Sequence, residues 1–194
     1  MCTRRRATGM SLIEVVVFIV VLGIGIAATL VVFNRVTSAS VDPMVRKQAL
    51  AIASSLLEEI ELRGFTYCDA DDPKVYTAAA ATATECTSAA YIENIGPDTL
   101  PSSTAETRYA IPQFDNVNDY DGFAMSGANI KSADGTTISG LGDYSVAVSV
   151  VNAGGDFSIA AAEALRITVT AQHVPTGTTV SLQGYRLRYA PNSP

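Results

Sequence analysis

The sequence predicts an α+β fold in which a long N-terminal helix packs against a C-terminal antiparallel sheet. Three observations carry this expectation. Val15 to Phe33 is an uncharged run of 19 residues, all apolar or glycine except Thr29. From Val45 to Ile60 apolar residues recur every three or four positions, the period of a helix with one buried face. In the last third, segments of alternating apolar and polar residues have the period of strands covered on one side.

The apolar run comes first in the chain and carries the most information. At 1.5 Å per residue it extends for about 28 Å, close to the ~30 Å hydrocarbon core of a bilayer. Arg4, Arg5 and Arg6 precede it and a single Arg35 follows, so the N-terminus is expected on the cytoplasmic side and the bulk of the chain across the membrane. The hexapeptide Gly9-Met10-Ser11-Leu12-Ile13-Glu14 leads into the run. A lone carboxylate at the edge of a membrane-length helix is costly, which makes Glu14 a functional candidate. A secretory signal would place its cleavage site after the apolar stretch; here the charged segment ending in Gly9 comes before it.

Gly9, Met10, Ser11, Leu12, Ile13 and Glu14, with the apolar helix behind them, resemble the class III leader of type IV prepilins and pseudopilins. The resemblance implies a pilin-like fold and cleavage after Gly9 by a prepilin peptidase that also methylates the new N-terminus at Met10. It implies that Glu14 is the assembly contact, and that Leu12, Val15, Phe18, Gly23 and Phe33 lie in the transmembrane segment. Phe is the usual first mature residue, so Met10 is a departure, and the proline many pilins carry between Gly25 and Phe33 has no counterpart here. The implied partners are other pilin subunits, the peptidase/methyltransferase, the inner membrane and a pilus assembly platform. The chemistry stands beside the resemblance. Cleavage frees an α-amine with a reference pKa of about 7.7–8.0, and methylation keeps its charge. An unpaired Glu14 inside a bundle of apolar helices would cost several kcal/mol, which a neighbour's amine would offset. A plain signal-anchor helix with Glu14 among the headgroups is the competing reading.

Composition bounds the rest. A length of 194 residues favours one domain beside a membrane segment, and the net charge is −6. Removal of Arg4, Arg5 and Arg6 with the leader takes Lys+Arg from 13 to 10 against 19 acids, giving −9. So acidic a product repels phosphates and leaves no basic patch for nucleic acid. The ~130 residues beyond position 63 suffice for one modest core.

A break is expected at Asp42-Pro43, with Asp42 as N-cap of a new helix over 43–63. Val45, Ala49, Ile52, Leu56 and Ile60 form its apolar stripe, and Gly64 is its expected stop. Core packing against the sheet is the preferred role of that stripe over a partner-binding groove. Residues 11–63 would together span up to ~80 Å of nearly continuous helix. The wording from Asp42 through Lys47 to Ile60 is similar to minor pilins of the mannose-sensitive haemagglutinin pilus, a likeness covering residues 9 to about 72.

Residues 66–143 are irregular. Cys2 falls in the leader, leaving Cys68 and Cys86 as the pair; in an exported domain they are expected to form a disulfide. Closing a loop of that length stabilises by roughly 3 kcal/mol in the chain-entropy treatment. Zinc is poorly supported, since there is no CxxC and the one histidine is the distant His173. Asp115, Asp119 and Asp121 belong to a dense run of oxygen donors ending in Gly122. It falls short of an EF-hand, because Val117 occupies the first ligand position. An Asx-rich turn is the first reading and calcium the second; no other cofactor is called for. Phe114, Tyr120 and Phe123 are expected to pin this loop to the core. The acid pairs Glu58-Glu59 and Asp71-Asp72 read as solvated charge.

The strands are expected at Tyr144 to Val151, Ala164 to Ala171 and Val180 to Tyr189, with Gly184 as a bulge or a point of close approach. His173 stands before the turn-like Val174-Pro175-Thr176-Gly177, without a nucleophile motif around it, so catalysis is not expected. The expected organisation is a leader at 1–9, a membrane and assembly helix at 10–35, and a periplasmic head at 36–194 with helix 43–63 and a sheet at about 144–190. The function expected is that of a minor pilin-like structural subunit that passes from the inner membrane into a pilus. The alternatives are a pseudopilin of type II secretion and a membrane-anchored module that binds a periplasmic ligand or calcium.

Overall fold

The computed structural model describes residues 11–75, 82–99 and 104–188, together with the backbone but not the side chains of 34–42. Gly9 and Met10 therefore lie outside the described residues, as does Tyr189. Helix α1 spans Leu12–Glu61. Contrary to the break expected at Asp42-Pro43, Pro43 lies inside it. A proline removes one N–H donor at a cost of about 3 kcal/mol but leaves the turns on either side able to form. The chain divides into two compact units between Met44 and Val45.

In the first unit the side chains of residues 12–33 are exposed throughout. Ser11 starts the helix, its carbonyl accepting from the N–H groups of Glu14 (3.0 Å) and Val15 (3.2 Å). Thr29, the one polar side chain of the run, donates its hydroxyl to the Gly25 carbonyl at 2.8 Å. That bond satisfies the donor within the helix itself, as an apolar surrounding requires.

The second unit has an antiparallel sheet in the order β1-β2-β3-β4. Its strands are β1 (Ala124–Ser126), β2 (Tyr144–Asn152), β3 (Ala164–His173) and β4 (Thr178–Leu187). The predicted alternation holds: Tyr144, Val146, Val148 and Val150 of β2 and Leu165, Ile167 and Val169 of β3 are buried. They form one core with Val45, Ala49, Ala53, Leu56 and Ile60 of α1, while Ile52 packs at its edge. Fully buried alanines at 49 and 53 keep the facing helix surface low. Phe114 and Tyr120 join the same core and meet Phe123 edge to face at centroid distances of 5.9 and 6.1 Å.

The elements differ from expectation in several details. The strand β1 was not anticipated, because three residues carry no usable periodicity. Register in β4 runs without a bulge through Ile167↔Gly184 and Arg166↔Tyr185. Tyr185 and Leu187 are consequently on the exposed side, where Tyr185 meets Phe157 at 5.1 Å. Of the two readings of Gly184, close approach is the one realised: a Cβ there would stand 2.1 Å from Glu61 Oε1 and 3.1 Å from Leu57 Cδ1. Helix α1 ends at Glu61, and Gly64 enters a bridge with Asn116 rather than capping the helix.

The acid pairs, read as solvated, are each half so. Glu58 and Asp71 are exposed, but Asp72 is buried and accepts from the Thr87 N–H at 2.7 Å and the Lys74 N–H at 2.9 Å. Glu59 receives Arg108 Nε at 2.7 Å on one oxygen and Nη2 at 2.5 Å on the other, and Tyr120 donates its hydroxyl at 2.9 Å. This bidentate pair ties the 104–123 segment to α1.

Gly154 gives a test of the packing between β2 and β3. A Cβ there would lie 1.8 Å from the Ala160 carbonyl oxygen and 2.6 Å from its carbon, backbone atoms with nowhere to rotate. Gly154→Ala should destabilise by about 1–3 kcal/mol, the usual cost of overpacking. Gly155→Ala, with nothing within 4 Å of its Cβ, should be the near-neutral control in thermal unfolding.

Candidate functional site

Two places carry chemistry beyond packing. The first is the start of α1. Leu12–Phe33 is a 22-residue stretch long and apolar enough to cross a membrane, and none of it is buried. Glu14 lies in its first turn and is exposed. Leu12, Val15, Phe18 and Phe33 are exposed with it, and Gly23 has open space where a Cβ would stand. The assignments to Gly9 and Met10 fall outside the described residues.

The predicted disulfide is present. Cys68 and Cys86 are bonded, with Cα atoms 5.5 Å apart, and Tyr67, Tyr91 and Ile92 pack on them. The bond lies beside the second place, because Cys68 bridges Ile92 and the Glu93 N–H donates to the Tyr67 carbonyl at 3.0 Å.

That second place is a cluster of acids from three loops. Carboxylate oxygens of Glu93, Asp115 and Asp119 lie within 4.8 Å of one another. Asp98 is at hydrogen-bonding distance from Glu93, and Glu106 from Asp119. Backbone bonds hold the loops together: Gly96 N–H to the Asn118 carbonyl at 3.0 Å, and Glu106 N–H to the Asp98 carbonyl at 2.9 Å. Asn118 adds a side-chain bond to the Asn94 carbonyl. On the far side, the Asn116 amide and Thr66 exchange bonds of 2.7 and 3.2 Å, anchoring the 115–119 loop near the end of α1.

The electrostatics of this cluster follow from burial and crowding. Burial, then the charges of Asp69, Asp71 and Asp98, push the Asp115 carboxyl up to about 7. Glu93 is raised far above the carboxylate range by burial, then by Asp119 and Asp98. Glu106 is raised by burial, then by Asp119 and Asp115. Burial also raises Asp119, although N–H groups of Asn116 and Asp115 bond its Oδ2 at 2.7 and 3.1 Å. Asp69, at the margin, is pushed up to about 6 by burial, with Asp71 and Asp98 adding to it.

Of the three acids singled out in the sequence, Asp115 and Asp119 are brought together and Asp121 is not. Asp121 Oδ1 accepts the Val150 N–H at 2.8 Å, so this carboxylate ties the loop to β2. Glu93, Asp98 and Glu106 were missed, since each stands alone in its stretch of sequence and no spacing relates them. His173 is remote in role: its ring tilts on Tyr144 at 4.8 Å and Nδ1 meets Thr176 Oγ1 at 2.8 Å.

Fold and site together define an α+β protein with one exposed N-terminal helix of membrane-spanning length and a disulfide-bonded unit built on a four-stranded sheet. No family model matches the chain, and no curated protein or solved structure is significantly similar to it.

Proposed function

We propose that the chain is a minor type IV pilin-like structural subunit of the mannose-sensitive haemagglutinin type. It is made with a leader, cleaved after Gly9 and methylated at Met10, and held in the inner membrane by the apolar part of α1. Other pilins then draw it into a filament through that helix and Glu14. The observation that carries this reading is the run of apolar side chains from Leu12 to Phe33. All are exposed, with a single acid in the first turn and an amphipathic continuation of the same helix packed on a sheet. Such a surface requires a lipid or protein environment, since exposed apolar patches of this extent mark membrane or interaction sites. Glu14 supplies what lipid contact alone does not call for, a charge that a neighbouring subunit's α-amine can neutralise.

The test is intact mass and N-terminal sequencing of the membrane-purified protein. The expected product begins at N-methyl-Met10; an N-terminus at Met1, or one inside the apolar run near Ala28, would reject the proposal. Glu14→Val should still insert and be cleaved, and should fall at least about tenfold in incorporation, as loss of a buried charge pairing worth several kcal/mol requires. Undiminished incorporation into sheared filaments would refute the pairing.

A further inference from the structure

We propose that Glu93, Asp98, Glu106, Asp115 and Asp119 bind one calcium ion, which fastens the loops containing residues 93–98, 106 and 115–119 to one another. The inference rests on the sheet-bearing unit alone and is independent of how the N-terminus is processed. Acids on a protein surface are ordinarily solvated; each of these has an oxygen that is not. Asp119 has no exposed surface and Glu106 is 4 % exposed, yet Asp119 Oδ1 and Glu106 Oε2 are inaccessible to water and face no donor other than a neighbouring carboxyl. The same holds for Glu93 Oε2, Asp98 Oδ2, Asp115 Oδ1 and the neutral amide oxygen Asn118 Oδ1. The ion pairs Arg108–Glu59 and Arg166–Asp156 involve none of them. A buried acceptor without a donor costs about 1–3 kcal/mol, and more when charged, so several together require a compensating cation or protons. The loop backbones are meanwhile bonded to each other in a way that keeps the carboxylates facing.

The donor set selects the cation. Oxygens alone converge, which disfavours zinc: Cys68 and Cys86 are consumed in their disulfide and His173 bonds Thr176. Magnesium keeps several waters and takes one or two carboxylates in a tight octahedron, whereas calcium accepts six to eight oxygens at about 2.3–2.6 Å. Two oxygens on opposite sides of such an ion stand about 4.8 Å apart, and the oxygens of Glu93, Asp115 and Asp119 all lie within 4.8 Å of one another. Glu93, Asp115 and Asp119 supply three converging carboxylates, Asp98 and Glu106 stand beside Glu93 and Asp119, and no sequence motif links the five.

The experiment is calorimetric titration of calcium chloride into the chelator-treated full-length protein in detergent, with thermal unfolding followed in parallel by near-ultraviolet circular dichroism. One equivalent should bind, with saturation by about 1 mM as in extracellular calcium modules. The melting temperature should rise by about 5 °C or more at saturation, and magnesium at equal concentration should give less than half that rise. Glu93→Gln combined with Asp119→Asn should weaken calcium binding at least about tenfold, while its metal-free form melts above the metal-free parent because repulsion is relieved. Asp121→Asn should bind calcium as the parent does. Absence of both heat and stabilisation at about 5 mM calcium would overturn the proposal, as would a double variant that responds like the parent. Equal stabilisation by magnesium would overturn the assignment to calcium. Terbium luminescence excited through Tyr120 and displaced by calcium is a second readout that needs no variant. Its absence in the parent would also count against the site.

Discussion

Arg108→Ala is expected to destabilise the sheet-bearing unit by about 3–5 kcal/mol, the range for breaking a buried ion pair by removing one partner. Side-chain exposure is 4 % for Arg108 and 15 % for Glu59, so the carboxylate left behind would have little water to replace the two lost bonds. Tyr120 would still donate to it, but one neutral bond does not replace a bidentate guanidinium. The Arg108 Nη1 bond to the Lys131 carbonyl, 3.0 Å long, would be lost as well. Replacing both partners at once, Arg108→Met with Glu59→Leu, should recover most of the loss, because it removes the stranded charge. Near-ultraviolet circular dichroism during thermal unfolding checks both variants; equal losses for the single and double changes would refute the electrostatic account.

The same pair sets a pH limit. Burial by itself would raise Glu59, but the hydrogen bonds and charge of Arg108 outweigh it, and the carboxyl is held below its ordinary value of 4.5. A carboxylate depressed in the folded state binds fewer protons there than in the unfolded chain. Its stabilisation is therefore complete above about 4.5 and is lost as pH falls through the lowered folded value. Glu59→Gln should flatten that acid limb of the stability curve. An unchanged limb would place the acid sensitivity elsewhere.

Removing the disulfide as Cys68→Ala with Cys86→Ala should cost about 3 kcal/mol and lower the melting temperature by roughly 10 °C. The two positions are separated by 18 in sequence, so the reduced chain regains the entropy of a sizeable loop. The consequence is local as well. The Tyr67 carbonyl holds the Glu93 N–H, and Cys68 bridges Ile92, so an open loop loosens the segment that carries Glu93. Dithiothreitol should reproduce the loss in the parent and leave the double variant unaffected. A parent that melts at the same temperature with and without reductant would refute the prediction.

How far each feature was legible in the sequence depends on how local its cause is. The stripe of Val45, Ala49, Leu56 and Ile60 and the alternations through Val148 and Val169 were readable because a helix or strand repeats its geometry every few residues. The cysteine pair was readable because only two remained outside the leader. Pro43 was misjudged because its local preference is weaker than the continuity of the helix around it. The choice between bulge and close approach at Gly184 was not readable, because it turns on Leu57 and Glu61 of the distant helix. Glu59 and Asp72 looked like ordinary surface acids, and their partners Arg108 and Thr87 come from distant stretches.

By itself, then, the sequence determined an α+β chain with a membrane-length helix headed by Glu14, an amphipathic helix, an alternating sheet and a disulfide. Only the tertiary structure decided that Asp115 and Asp119 meet Glu93, with Asp98 and Glu106 beside them, while Asp121 turns to the Val150 backbone. Periodicity is a property of neighbours along the chain and survives in one dimension. A ligand set drawn from three loops comes into being only when backbone bonds across those loops close, and carboxylates that look solvated one by one then crowd into a single site.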